Sequence, residues 1–208
     1  MLSFEIWIAF VFASAVVLAI PGPTVMLVVS YALSRGRASG WSTVPGVALG
    51  DLTAMTASLA GAGAILAASA ELFTILKLVG AAYLIWRGIR LWRAKAGAEG
   101  FEGQGPAKTH RSMFVNAYVV TALNPKSIAF FVAFVPQFID PDAPLLGQFA
   151  ILEATFVTLA ALNVGLWVVM VGKLRERFRR HGTLRLVNRV GGTCLIGAGV
   201  LTATLRRV

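Results

Sequence analysis

The amino-acid sequence predicts an all-α, polytopic membrane protein: six transmembrane helices arranged as two inverted three-helix repeats, with helices 1 and 4 broken. Three observations carry this reading. The composition is too apolar for a soluble domain, the apolar residues fall into six long runs, and two of those runs are interrupted at proline motifs.

Of 208 residues, 57% are hydrophobic and only 13% charged, where soluble domains carry about 25% charged residues. The mean hydropathy is +0.77. A net charge of +10 would suggest a nucleic-acid partner in a soluble protein. Here the basic residues collect in short loops between apolar runs, so they read as topology signals and contacts to membrane lipids, with no nucleic acid expected. The single cysteine, Cys194, allows neither a disulfide nor a thiolate metal site within the chain, and no metal or cofactor is expected. Ala13-Ser14-Ala15 resembles a small-residue cleavage site, but no Lys or Arg precedes it and the apolar run continues past it, so the segment is expected to be retained.

The first run, Ile6 to Ala32, ends at a loop from Ser34 to Gly40 that holds Arg35 and Arg37. The second runs from Trp41 or Val44 to Ala68 and contains Asp51. The third, Leu72 to Trp92, ends with Trp86, Arg87, Arg90, Trp92 and Arg93, the mixture of aromatic and cationic residues found at a membrane interface. Lys77, near its start, is read as reaching the outer interface. Residues 94–112 are rich in glycine and charge and read as a cytoplasmic linker. The fourth run, Phe114 to Ile139, is broken at Asn124-Pro125-Lys126 and followed by an acidic turn at Asp140 and Asp142. The fifth, Leu145 to Val171, carries Glu153 and Asn163. A basic loop from Lys173 to Arg189 precedes the last run, Val190 to Leu205, whose start is placed nearer Leu184.

Loops after runs one, three and five are basic, and those after two and four are acidic. The basic loops are therefore expected in the cytoplasm and both termini outside, with Arg206 and Arg207 running against the rule. Three runs on each side of the linker suggest a duplication, residues 1–93 and 113–208. Because three is odd, the second copy must be inverted.

Pro21-Gly22-Pro23 must end one half-helix near Ile20 and start another at Pro23, with Gly22 as its N-cap. Asn124-Pro125 is the same device, a strong N-cap followed by proline at the first helical position. Spans one and four run in opposite directions, so the two half-helix N-termini would face each other. Each presents a positive dipole end, and Lys126 adds a full charge beside one of them. A substrate carboxylate is therefore expected at Pro21, Gly22, Pro23, Thr24, Asn124, Pro125 and Lys126. The bland alternatives are a packed proline kink and a purely structural ion pair of Lys126 with an acid.

Asp51 and Glu153 each lie 28 residues after the proline of their repeat, Pro23 and Pro125. A carboxylate inside a span costs several kcal/mol and is normally turned to a cavity or partner, so both are candidates for holding a proton or a substrate ammonium. Glu153 lies nearer the outer end of its run, where reaching the interface is an alternative. Gly46 and Gly50, just before Asp51, form a small face that lets another helix approach closely, within one chain or between two. Oligomeric state is open, a homodimer included.

With these residues in place, the chain resembles the lysine exporter superfamily, in its LysE/RhtB branch. The resemblance covers essentially the whole chain. It rests on the length, six apolar runs, Pro21-Gly22-Pro23, the Gly46 to Asp51 segment, the polar linker, and Asn124-Pro125-Lys126 followed by Phe130-Phe131. The resemblance implies a multi-pass protein of the bacterial cytoplasmic (inner) membrane that exports amino acids or derivatives of the homoserine, threonine, lysine or leucine class, driven by the proton gradient. Relatives that move other small solutes or cations keep that alternative open, as they do uptake or passive conduction through the same architecture. A membrane-embedded enzyme is the reading from another class. It is disfavoured because His110 and His181 lie in expected loops, with no His-acid cluster inside a run.

Overall fold

The computed structural model describes residues 2–93, 109–140, 142–178 and 181–204. Most of the expected linker, residues 94–108, and the terminal Arg206 and Arg207 lie outside the described residues, as do the side chains of the basic segment 171–188. Among the described residues the chain is helical throughout, without strands. The elements are α1 (Phe4–Ala19), α2 (Pro23–Arg35), α3 (Arg37–Trp41), α4 (Val44–Ala68), α5 (Ala70–Arg93), α6 (His110–Ala122), α7 (Pro125–Ala133), a 3-10 turn (Val135–Phe138), α8 (Leu145–Phe178) and α9 (His181–Thr204).

Both proline motifs break their helices where the residue chemistry requires. α1 stops at Ala19, Ile20 turns to extended backbone, and α2 restarts with Gly22 as N-cap and Pro23 in its first turn. The two pieces, Phe4–Ala19 and Pro23–Ala32, meet at 57°. α6 and α7 repeat the arrangement: Asn124 is the N-cap, its side chain accepts from the Lys126 N–H, and Pro125 opens the helix. His110–Ala122 and Pro125–Phe138 are bent by 43°.

Among the described residues, by length and composition, one helix segment, Leu145–Met170, is long and apolar enough to cross a membrane, and the two bent pairs each qualify if taken as one span. Three local expectations change. The loop between Ser34 and Gly40 is instead the end of α2 and the one-turn α3, joined at Gly36, whose φ of 87° suits a residue without a Cβ. The basic loop from Lys173 to Arg189 is mostly helix, because α8 runs on to Phe178 and α9 begins at His181. α6 starts at His110 under a Thr109 cap, inside the segment read as linker.

Packing follows the small residues. α5 lies along α9, and α4 packs on α6, α7 and α8. At the α5–α9 crossing a Cβ on Gly88 would stand 2.6 Å from the Gly192 carbonyl oxygen, and one on Gly192 would stand 2.6 Å from that of Gly88. At the α4–α6 crossing a Cβ on Gly50 would meet Thr121 Cβ and the Tyr118 carbonyl oxygen at 2.8 Å, while one on Gly46 would run into the Phe114 carbonyl. The Gly46–Gly50 face is thus used inside the chain.

Among the described residues, the two largest apolar clusters make up most of the core. One joins Phe10 and Val17 of α1, Met55 and Leu59 of α4, Phe130 and Phe131 of α7, and Leu152 and Phe156 of α8. The other joins Leu27, Val28 and Tyr31 of α2, Val47 of α4, Met113 and Ala117 of α6, and Val164 and Val168 of α8. The two broken pairs, α4 and α8 therefore all pass from one cluster to the other, the broken pairs doing so at their breaks.

Substituting Gly50 by Ala should lower stability by about 1–3 kcal/mol, the usual cost of forcing atoms into a packed crossing. Gly61→Ala is the control, since a Cβ there meets nothing within 4 Å, and it should be neutral or stabilising by up to about 1 kcal/mol from helix propensity. Thermal unfolding of the purified variants in one detergent checks both.

Candidate functional site

Breaking α1 exposes the carbonyl oxygens of its last turn, and each needs a donor in an apolar interior. The structure supplies them from the other half of the chain. Lys126 Nζ donates to the Val17 oxygen at 3.0 Å and to the Ile20 oxygen at 2.9 Å. Asn163 Nδ2 of α8 donates to the Leu18 oxygen at 3.1 Å. Lys126, only 7% exposed, thus caps the negative end of α1, a placement that the helix dipole favours for a cation. The sequence reading set it beside the N-terminus of α7. Its backbone is there, but its ammonium reaches across the junction.

The two breaks are joined directly. Thr24 Oγ1, one residue into α2, accepts from Thr121 Oγ1 and from Asn124 Nδ2, each at 3.2 Å. Asn124 Oδ1 in turn accepts from the Lys126 N–H at 3.1 Å. Pro21, Gly22, Pro23, Thr24, Asn124, Pro125 and Lys126 therefore form one junction, with Gly22 under the lysine tip: a Cβ there would lie 3.4 Å from both Cε and Nζ.

Asp51 belongs to the same junction. It follows Gly50 at the crossing with Thr121, is 3% exposed, and interacts with the charge of Lys126 and the side chain of Ser127. Its Oδ1 is buried without a hydrogen-bond partner. A carboxylate oxygen left so in an apolar interior is costly and marks a place where a donor is wanted.

Glu153 lies elsewhere. Its Oε1 accepts from Thr56 Oγ1, five residues along α4 from Asp51, and the side chain is partly exposed. Equal spacing from the two prolines does not bring the two acids together. Thr121, Ser127 and Asn163 join the junction without having been singled out from the sequence as site residues. Their signal was modest: each is a polar residue within an apolar run.

The polar junction sits where the chain passes between the two apolar clusters. On α4, Val47 belongs to one cluster and Ala54 and Met55 to the other, with Asp51 between them. On α8, Ala160 and Val164 flank Asn163 in the same way. The junction is thus a thin polar layer with apolar packing on both sides.

Comparison with known proteins identifies the family. Residues 15–205 match the family model described as LysE type translocator. An uncharacterized membrane protein of Vibrio cholerae is 31% identical over 202 residues, 97% of this chain and 98% of that one. An uncharacterized membrane protein of Pseudomonas aeruginosa is 32% identical over 206 residues, covering 96% and 95% of the two chains. A homoserine/homoserine lactone efflux protein of Salmonella typhi is 29% identical over 205 residues, 99% of both chains. No solved structure gives a significant match. With its two proline-broken helices meeting at a buried polar junction, and with a family match over nearly its whole length, this chain belongs to the LysE type translocator family.

Proposed function

We propose that this protein is a secondary active transporter that exports amino acids or their derivatives, of the homoserine, threonine, lysine or leucine class, in exchange for protons. The observation that carries the proposal is Asp51: a buried carboxylate with an unpartnered oxygen, at the point where both helix breaks meet. The family is one of membrane translocators, and the Salmonella relatives named for homoserine and homoserine lactone efflux support the substrate class. Homoserine and its lactone share a primary ammonium, and only the former has a free carboxylate. The ammonium is therefore the handle the two have in common, and a buried acid is the group that recognises it.

In this reading Asp51 holds either a proton or the substrate ammonium. Protonation removes the charge that binds the amine, so the two compete and their movements are coupled. The substrate carboxylate meets the half-helix starts at Pro23 and Pro125, with Thr24, Asn124 and Lys126 around it. Glu153 is the second acid of the pair and, tied to Thr56, the lesser candidate. The architecture we propose is six spans in two inverted repeats. It is supported by the matched pairs Gly22–Pro23 and Asn124–Pro125, each an N-cap followed by a first-turn proline. The basic segments lie in the cytoplasm and the protein in the bacterial inner membrane.

Proteoliposomes loaded with homoserine and given a pH gradient test the assignment. Wild type should release homoserine several-fold faster when the gradient is imposed than without it. Asp51→Asn should lose gradient-driven release by at least about tenfold, equivalent to ~1.4 kcal/mol, while Glu153→Gln keeps most of it. Full activity in Asp51→Asn would remove the coupling role, and tight vesicles that release no amino acid under any gradient would remove the substrate class. A pH-sensitive dye gives a further check. A homoserine gradient alone should drive protons the opposite way in wild type and not in Asp51→Asn.

A further inference from the structure

Lys126 places a primary ammonium at the broken end of α1, and a primary ammonium is also the group that every candidate substrate carries. The Val17 and Ile20 carbonyl oxygens receive it at 3.0 and 2.9 Å, at the negative end of a half-helix. Asn163 occupies the neighbouring Leu18 oxygen, so these two carbonyls form the part of the turn given over to a cation. Asp51 lies close enough to feel the charge of the same ammonium, and its Oδ1 is buried without a hydrogen-bond partner. Gly22 leaves room for the lysine tip to lie across the break.

We propose that these carbonyls and Asp51 are the ammonium-binding cradle for the substrate, and that Lys126 fills it as a tethered stand-in while the transporter is empty. This rests on the amino-acid export reading and specifies how its site works. An incoming amino acid offers the cradle the same –NH3+ group and displaces the lysine. The released side chain starts from the first turn of α7, beside Asn124 and Pro125. A carboxylate is favoured at that helix start, and Lys126 becomes its partner there. One zwitterion thus satisfies both ends of the exchange. In its absence the exposed carbonyls and Asp51 stay paired with the protein's own cation, which keeps stray small cations out of the site. Recognition through two carbonyls and a carboxylate selects for N–H donors, so primary amines fit and quaternary ones do not.

The test uses purified full-length protein, without vesicles or gradients. Lys126→Met should unfold at a lower temperature than wild type, because the Ile20 oxygen loses its lysine donor, the Val17 oxygen keeps only the Ile20 N–H, and Asp51 loses the neighbouring positive charge. Millimolar ethylammonium chloride should then raise its melting temperature by at least about 3 °C, as a ligand of the folded state does. Tetramethylammonium chloride at equal ionic strength should not, and wild type should respond to neither. If ethylammonium shifts the variant no more than tetramethylammonium does, or shifts wild type equally, the cradle proposal is overturned. Should Lys126→Met fail to accumulate as folded protein, Lys126→Gln, which retains an amide donor, is put through the same comparison under the same criteria. Failure here leaves homoserine export by wild type unaffected as a separate result. Rescue by ethylammonium combined with no amino-acid release would retain the cradle and overturn the choice of cargo.

Discussion

The structure depends on how the broken end of α1 is satisfied. The Ile20 N–H turns back to the Val17 oxygen, but Pro21 and Pro23 can donate nothing, so the Leu18 and Ile20 carbonyls find their donors in another part of the chain. Lys126 and Asn163 provide them, reaching over a sequence separation of more than a hundred residues. An unpaired carbonyl in an apolar interior costs about 1–3 kcal/mol, and more where the surroundings are lipid. These bonds therefore do more than decorate the kink. They fix the second broken helix against the first and set a lysine where a helix dipole and a carboxylate both attract it.

The rest of the junction follows from that placement. Lys126 can reach α1 only if α7 starts beside α2, and the Thr24, Thr121 and Asn124 hydrogen bonds hold it there. Asp51 can approach only because Gly50 lets α4 touch α6 at its backbone. Apolar clusters on either side then exclude water from the polar layer. In such surroundings the interaction between Asp51 and Lys126 is far stronger than in water.

A transporter must also reopen, and the packing suggests where. The glycine crossings, α4 on α6 and α5 on α9, bring backbones together with little side-chain interlock. The breaks provide the bends, at 57° and 43°. Rigid pieces joined at such bends are the usual means by which a central site is offered first to one side and then to the other.

Much of this was determined by the sequence alone. Proline lacks an N–H wherever it occurs, so both breaks, the Gly22 and Asn124 caps and the starts at Pro23 and Pro125 were legible without coordinates. The Gly46–Gly50 face beside Asp51 and the family itself were legible for similar reasons, as motifs local in the chain. Other features only the tertiary structure decided. The 28-residue spacing singled out Asp51 and Glu153 alike, and only the fold shows their different surroundings: Asp51 is buried near the charge of Lys126, while Glu153 is bonded to Thr56. The described residues of the basic stretch from Lys173 to Arg189 lie in α8 and α9, since charge predicts which side of a membrane a segment prefers and says little about its backbone. Above all, Lys126 was read by its nearest helix end, the start of α7. Its long side chain instead delivers the ammonium to the carbonyl end of α1, a partner that no local pattern could name because it lies 106 to 109 residues away.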